Sequence, residues 1–294
     1  MKILISGATG FVGTALTALL QSSGHQLFAL VRHVDIRLAP SITQYTLETL
    51  HELDQQMDVF INLAGEGIAD KPWSEKRKKS LYESRVTLTR SVKEQLVKTP
   101  HTVISMSAIG YYGSHSNAEV DEFSEPDKGF AHELCDKWEA AAFEFSELGA
   151  RTVVFRLGVI LGKNGGALSK MRPAYLCGLG GKIGRGNHGF SWVHLQDVLK
   201  GIVSAMLDPR FDGIYNLTAP DCVAQKEFAK CYAHVLKRPA VFTTPNMLLR
   251  LLFGEMSSLL THGVKAHPKR LIEQGFLFDY KNLEAALMAI ENKH

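Results

Sequence analysis

Two groups of residues in this chain have the types and spacing to do chemistry. The first follows an apolar run. Ser105 and Ser107 close Thr102-Val103-Ile104-Ser105-Met106-Ser107, and Tyr111 and Tyr112 come next, between Gly110 and Gly113. A serine hydroxyl can orient a carbonyl or an alcohol, and a phenol can give or take a proton. The second group opens the chain. In Gly7-Ala8-Thr9-Gly10-Phe11-Val12-Gly13 three glycines recur at intervals of three. Gly7 permits a tight turn, Gly10 lets a pyrophosphate approach without meeting a Cβ, and Gly13 lets a helix pack close to a strand. The alternative for this stretch is a tight turn that binds nothing. Arg32 stands beyond the next apolar run with no acid before Asp35. An Asp or Glu at that place would take the 2′-hydroxyl of NAD, whereas an arginine accommodates the 2′-phosphate of NADP. Arg32 therefore favours NADP, the alternative being a solvated loop arginine.

These residues need elements to hold them. Lys2-Ile3-Leu4-Ile5-Ser6 reads as a buried parallel strand. The helix after it should bury Val12, Ala15, Leu16, Leu19 and Leu20, and its free N–H groups and positive dipole end would face an anion. Gly24 stops that helix. Further strands are expected at residues 26–31, around 43–46, at 58–62, 102–107, 151–157, 191–195 and 214–217. The turn Leu63-Ala64-Gly65 leaves room for a cofactor's sugar and phosphates. Helices are expected over residues 74–98 with Ser74 as cap, 130–148, 197–207 with Asp197 as cap, 226–236, 246–260, 268–274 and 283–290. Eight glycines fall between Gly165 and Gly189, and we read residues 163–189 as a loop-rich cover for a ligand. Strands alternating with helices make a parallel, doubly wound α/β sheet.

The bulk properties set limits. The chain has 294 residues, 45% of them hydrophobic, enough for one large or two smaller domains. Lys and Arg number 33 against 30 Asp and Glu, too balanced to indicate nucleic-acid or acidic-membrane partners. No apolar run approaches the ~20 residues of a membrane span. The first strand ends in glycines rather than a cleavage site, so no signal peptide is expected. Cys135, Cys177, Cys222 and Cys231 form no C-x-x-C pair, as for reduced thiols in the cytoplasm. The 12 histidines show no ligand spacing, and no metal is expected.

Together the G-A-T-G-F-V-G turn, N-L-A-G after the fourth strand, the serine-rich fifth strand leading to Y-Y-G, and W-V-H-L-Q-D resemble the extended short-chain dehydrogenase/reductases, the NAD-dependent epimerase/dehydratase group. The second half, with G-G-A-L, G-L-G-G-K-I-G, F-S-W-V-H, N-L-T-A-P and K-E-F, resembles the epimerase-like branch 39U. So do Arg250 to Glu255, Pro268 to Leu271 and Gln274-Gly275-Phe276, which match that branch's C-terminal domain of unknown function. The resemblance covers nearly the whole chain. It implies a Rossmann domain over residues 1–163, to which 190–218 return. A smaller, mainly helical substrate-side domain would take 164–189 and 219–294. It implies NADP(H) contacts at Thr9, Phe11, Val12, Arg32, Leu63, Ala64 and Arg85, with Ser105 and Ile160 also on the cofactor side.

The parent family works with a serine and a Tyr-x-x-x-Lys pair. Ser107 matches the serine. With the helix aligned on Glu139, the tyrosine position falls on Ala131 and the lysine position on Cys135, so the usual acid/base pair is absent. Tyr111 or Tyr112 could substitute, Tyr111 being the candidate taken forward, against a packed-aromatic role for each. His132 and Lys137 are weaker candidates. Sugar-nucleotide epimerases often carry an arginine where Phe190 stands, and Arg172 and Arg185 are out of register with it. A nucleotide-sugar substrate is therefore not expected. His194 is read as a structural hydrogen-bonder. Two functions are compatible with these residues: an NADP(H)-dependent oxidoreductase or epimerase acting on a small molecule, or a protein that senses the cofactor without turnover. The oligomeric state stays open, a homodimer being compatible with the sequence.

Overall fold

The computed structural model describes residues 1–113, 119–163 and 165–292. Seven strands build the main sheet: β1 (Lys2–Ser6), β2 (Gln26–Leu30), β3 (Thr43–Tyr45), β4 (Val59–Asn62), β5 (Thr102–Ala108), β6 (Arg151–Leu157) and β7 (Gly213–Leu217). Their order is β7-β6-β5-β4-β1-β2-β3, and every pair is parallel. Helices cover both faces, so the strands are apolar throughout rather than alternating. Ile3 and Ile5 of β1 join one core with Ile61, Ile104 and Phe155, and Leu4 joins the other with Phe28 and Phe60. The order reverses between β1 and β4. At such a switch point the connections diverge and leave a crevice beyond the carboxyl ends of the strands.

Eight helices matter for the site: α1 (Phe11–Ser22), α2 (Glu75–Tyr82), α3 (Leu88–Gln95), α4 (Phe130–Phe143), α5 (Gly166–Leu176), α6 (Leu195–Leu207), α7 (Gln225–Val235) and α8 (Asn246–Phe253). A third core forms where α5, α7 and the helix Leu283–Glu291 meet, around Tyr175, Phe228, Tyr232 and Leu287. No helix among the described residues is long and apolar enough to cross a membrane.

Several expectations need correction. In α1 the buried stripe is Gly13, Leu16, Thr17 and Leu20, while Leu19 is 37% exposed. Thr17 joins the stripe because its hydroxyl donates back to the Gly13 carbonyl at 2.9 Å. The expected helix over 74–98 is capped by Ser74 but carries a π turn, Glu83–Thr87, between α2 and α3. The helix expected over 130–148 ends at Phe143, and a 3-10 turn over Ser146–Leu148 runs to Gly149, which turns left-handed at φ 89°. Residues 163–189 are not mainly loop, since α5 runs through them with Pro173 inside it. The helix expected over 246–260 breaks at Gly254 (φ 56°) and resumes over Ser258–Thr261. Asp197 does not cap α6. The cap is His194, whose Nδ1 accepts from the Gln196 N–H at 3.0 Å. The fully buried Asp197 carboxylate instead accepts from the backbone N–H groups of Asp279 and Tyr280, at 2.6 and 3.1 Å.

Candidate functional site

The crevice begins at the glycine turn. Gly7 has φ 72°, and a Cβ there would lie 2.8 Å from the Leu63 carbonyl. So β1 and β4 approach as closely at their ends as only glycine permits. A Cβ on Gly13 would fall 2.1 Å from the Gly7 carbonyl oxygen and 2.8 Å from Ala8, and the first turn of α1 can therefore sit directly on the end of β1. Gly10 differs. Its φ of −76° is ordinary, and a Cβ would meet only the Gly7 oxygen at 3.2 Å. Gly10 is the N-cap of α1, no side chain caps that helix, and its first turn holds no acid. The N-terminal N–H groups and dipole are thus left for an anion. This open, uncapped helix start fits a dinucleotide's pyrophosphate.

Buried hydroxyls and one amide fix the floor. Ser6 donates to Asn62 Oδ1 at 2.7 Å, and its oxygen accepts the Ala64 N–H at 3.3 Å. The Asn62 amide donates to Thr89 of α3 at 2.8 Å and to Ser105 at 3.4 Å. Ser6, Asn62, Thr89 and Ser105 are all 2% exposed or less. Each satisfies another's polar group out of water, so the ends of β1, β4 and β5 are held in one register. Leu63, Ala64 and Gly65 run across this floor. Beside them lies Arg85, which the π turn carries toward the crevice. Its guanidinium would stand 3.0 Å from a Cβ on Gly65, and it lies 5.2 Å from the Trp138 ring. It donates to the Glu66 carbonyl at 2.7 Å and has no ion pair among the described residues. Burial holds its pKa below the ordinary arginine value. Arg32 is exposed just beyond β2, with no hydrogen bond or ion pair among the described residues.

The glycine-rich segment reaches the same place through Phe11. Cβ atoms on Gly162, Gly165 and Gly166 would come within 2.8, 2.2 and 2.9 Å of that ring. These glycines therefore make a seat for an aromatic at the helix start. Ile160 precedes them in the strand Val159–Leu161, which pairs with Trp192–His194. Among the ion pairs that tie this side to the main sheet and its helices are Lys170 of α5 with Asp70, and Lys78 of α2 with Glu255 at 2.7 Å.

Ser107, at the end of β5, is 2% exposed and donates to Glu139 Oε1 at 2.6 Å. Glu139 is bidentate with Arg156, at 2.9 and 2.8 Å. A third Arg156 N–H donates to the Tyr112 oxygen at 3.1 Å, and the Tyr112 proton goes to Asn216 Oδ1 at 2.7 Å. Burial pushes the Tyr112 phenol up to about 12. Burial also lowers the Arg156 guanidinium, but the Glu139 carboxylate outweighs it and leaves Arg156 above its ordinary value. Tyr111 is half-buried, and its ring lies 3.3 Å from the Arg156 guanidinium carbon. His132 packs on Tyr111 at 4.9 Å between ring centroids and bonds its carbonyl at 2.8 Å. Lys137 sits over the Tyr82 ring at 5.6 Å. Ala131 and Cys135 lie against Gly110, 3.5 and 3.8 Å from where its Cβ would be. Burial pushes the Cys135 thiol up to about 11.

The structure thus brings the glycine turn, Leu63 to Gly65, Arg85 and Ser105 to one crevice, with Ser107 and Tyr111 at the end of β5. Sequence reasoning passed over Glu139 and Arg156 as site residues. A signal was present. Arg156 is a charge inside the apolar run of β6, and Glu139 lies one turn after Cys135 on the packing face of α4. A lone buried charge implies a buried partner. The surface hollow lined by Glu119, Asp121, Ser124, His267, Lys269 and Glu273 shares no residue with this crevice.

Comparison with known proteins gives a consistent placement. The NAD dependent epimerase/dehydratase family matches residues 3–218, and a domain of unknown function, DUF1731, matches residues 244–290. Epimerase family protein YfhF of Bacillus subtilis is 36% identical over 98% of this chain and 97% of its own length. Epimerase family protein SDR39U1 of Mus musculus is 36% identical over 98% of each chain. The crystal structure of human SDR39U1 (isoform 2) with NADPH superimposes with a TM-score of 0.90 at 32% identity, covering 100% of both chains. UDP-glucuronic acid 4-epimerase from Bacillus cereus gives a TM-score of 0.79 at 17% identity over 99% of this chain and 98% of its own, a likeness of fold alone.

Proposed function

The chain belongs to the NAD dependent epimerase/dehydratase family, and on that premise we propose that it binds NADP(H) in the crevice beyond β1 and β4 and acts as an oxidoreductase or epimerase on a small molecule other than a sugar nucleotide. The observation that carries this reading is the uncapped start of α1 at Gly10, facing an open approach. The human relative solved with NADPH supports it. Gly7 and Thr9 to Gly13 would hold the pyrophosphate, and Leu63, Ala64 and Gly65 would face the sugars. Arg85, Ser105 and Ile160 would border the cofactor. Arg32, exposed and without a partner among the described residues, would take the 2′-phosphate through charge-assisted hydrogen bonds.

NADP(H) bound there would supply or accept a hydride. The residues of the chain have other tasks. Ser107 orients the reacting group of the substrate. Tyr111, held by the Arg156 cation on its ring face and by His132, is the half-buried phenol placed to pass a proton. Phe190 takes the place where a diphosphate-gripping arginine would stand, and Arg172 is engaged with Glu291 at 3.0 Å. Both support a substrate without a diphosphate.

The second reading, a cofactor sensor without turnover, is favoured by Ala131 and Cys135 where the acid/base pair would be. Incubation with NADPH or NADP and a panel of carbonyls, alcohols and sugars separates the two. Consumption or formation of reduced cofactor supports the enzyme, and tight binding with no change supports the sensor. For cofactor choice, Arg32→Asp should weaken NADPH binding by roughly 10-fold or more, the worth of a charged hydrogen bond. NADH binding should stay near its original value. Equal losses for both cofactors would remove Arg32 from the 2′-phosphate site.

A further inference from the structure

The bonds beneath Ser107 have only one sense. Arginine can only donate, and a carboxylate can only accept. Two Arg156 N–H groups are spent on Glu139 and a third on the Tyr112 oxygen. The Tyr112 proton is spent on Asn216 Oδ1, and the Asn216 amide donates to the His267 carbonyl at 3.0 Å. Glu139 is therefore the acceptor on which Arg156 and Ser107 both converge, and Ser107 is the donor at the site end. Its contact with Glu139 Oε1 at 2.6 Å is a short, charge-assisted bond that holds the serine proton. Beside it lies Cys135, a thiol that burial keeps protonated.

We infer that Ser107 faces the site as a hydrogen-bond acceptor, and that Glu139 is the positioning residue that selects a hydroxyl-bearing substrate over the matching carbonyl compound. This rests on the reading above that the reacting group lies against Ser107. A serine that polarises a carbonyl must point its proton at the substrate. Here that would mean giving up a bond to a buried carboxylate. A substrate hydroxyl donates to the free lone pair without disturbing anything. A carbonyl would set lone pair against lone pair. The buried carboxylate thus inverts the role of the serine, and the favoured resting partner is an alcohol alongside oxidised cofactor.

The test uses the full-length protein with NADP and two matched pairs, cyclohexanol with cyclohexanone and 1-phenylethanol with acetophenone, followed by saturation-transfer NMR. NADPH titration by nicotinamide fluorescence is done first. Failure there removes the cofactor reading itself and is distinct from a failure of the alcohol preference. The alcohols should bind roughly fivefold or more tighter than the ketones, the worth of one hydrogen bond. Ser107→Ala should bring the ratio to about one. Glu139→Ala should move it toward the ketones, because the serine proton then has no carboxylate to hold it. Loss of packing alone would not reverse a preference. Ketones preferred by the unmodified protein, or a ratio untouched by Ser107→Ala, would overturn the inference. Neutron diffraction decides the matter without any substrate. The Ser107 deuteron should lie on the line to Glu139 Oε1, and a deuteron pointing into the crevice would overturn it equally.

Discussion

Gly10→Ala is the sharpest perturbation of the proposed cofactor site. The backbone at Gly10 has φ −76° and ψ 178°, which alanine adopts freely, and the new Cβ would touch only the Gly7 oxygen at 3.2 Å. The Gly7 carbonyl must give by a few tenths of an ångström, and folding should otherwise feel little. Losing a glycine N-cap costs a few tenths to about 1 kcal/mol, and reduced freedom of the unfolded chain returns a similar amount. For a chain of this size that is a Tm change of roughly 2–4 °C at most. In the proposed complex the methyl group would project toward a pyrophosphate oxygen. Pushing it away loses at least one N–H bond to a charged group, worth about 1.5–3 kcal/mol, or roughly 10- to 150-fold in Kd. Two companions calibrate the result. Gly13→Ala drives its Cβ to 2.1 Å from the Gly7 oxygen, so it should weaken NADPH binding and also cost about 1–3 kcal/mol of overpacking. Gly24→Ala sits at φ 76° with nothing within 4 Å. It should cost about 1 kcal/mol and leave binding alone. NADPH fluorescence titration and thermal unfolding read all three. If Gly10→Ala binds within twofold of the parent, or if Gly24→Ala weakens binding equally, the helix start is not the pyrophosphate site.

Two further predictions concern the scaffold. Asp197→Ala leaves the Asp279 and Tyr280 N–H groups without their buried acceptor, at about 1–3 kcal/mol each. The melting temperature should fall by several degrees while NADPH affinity holds, and an unchanged Tm would show that the carboxylate pins nothing. Glu122 is held above the ordinary carboxyl value mainly by burial, despite accepting from the Asn216 N–H at 2.9 Å. Its folded pKa exceeds its unfolded one, so its contribution is complete below about pH 4.5, the unfolded carboxyl value, and is lost as pH rises through the folded value. Glu122→Gln keeps an acceptor and removes the buried charge. It should unfold later than the parent at pH 7.5 and about equally at pH 4.5, and a lower Tm at pH 7.5 would contradict this.

How much the chain discloses before its structure depends on the range of the interactions involved. The glycine turn was legible because Gly7, Gly10 and Gly13 act within one strand-turn-helix unit. Ser74 was legible as a cap because its oxygen reaches only to the Arg77 N–H, at 3.2 Å. Asp197 misled for the opposite reason. At the start of a helix an acid reads as a cap, yet its bonds go to residues 82 and 83 positions away. Helix α5 was hidden because it buries only Leu168 and Tyr175, seven residues apart, and carries glycine at its start and Pro173 within. So sparse an apolar stripe gives no helical period. The π turn at Glu83–Thr87 leaves no mark in the apolar spacing, although it sets where Arg85 points. The Glu139–Arg156 pair joins α4 to β6, and only the packing of those elements brings it under Ser107.

In the proposed complex the uncapped helix start at Gly10 and the Arg32 guanidinium, without a partner among the described residues, together seat NADP(H). A crystal structure of the protein soaked with NADPH tests this most directly. The pyrophosphate is expected within hydrogen-bond reach of the first backbone N–H groups of α1, and the 2′-phosphate beside Arg32. A dinucleotide found elsewhere on the molecule, or lying in the crevice with its 2′-phosphate turned away from Arg32, would contradict it.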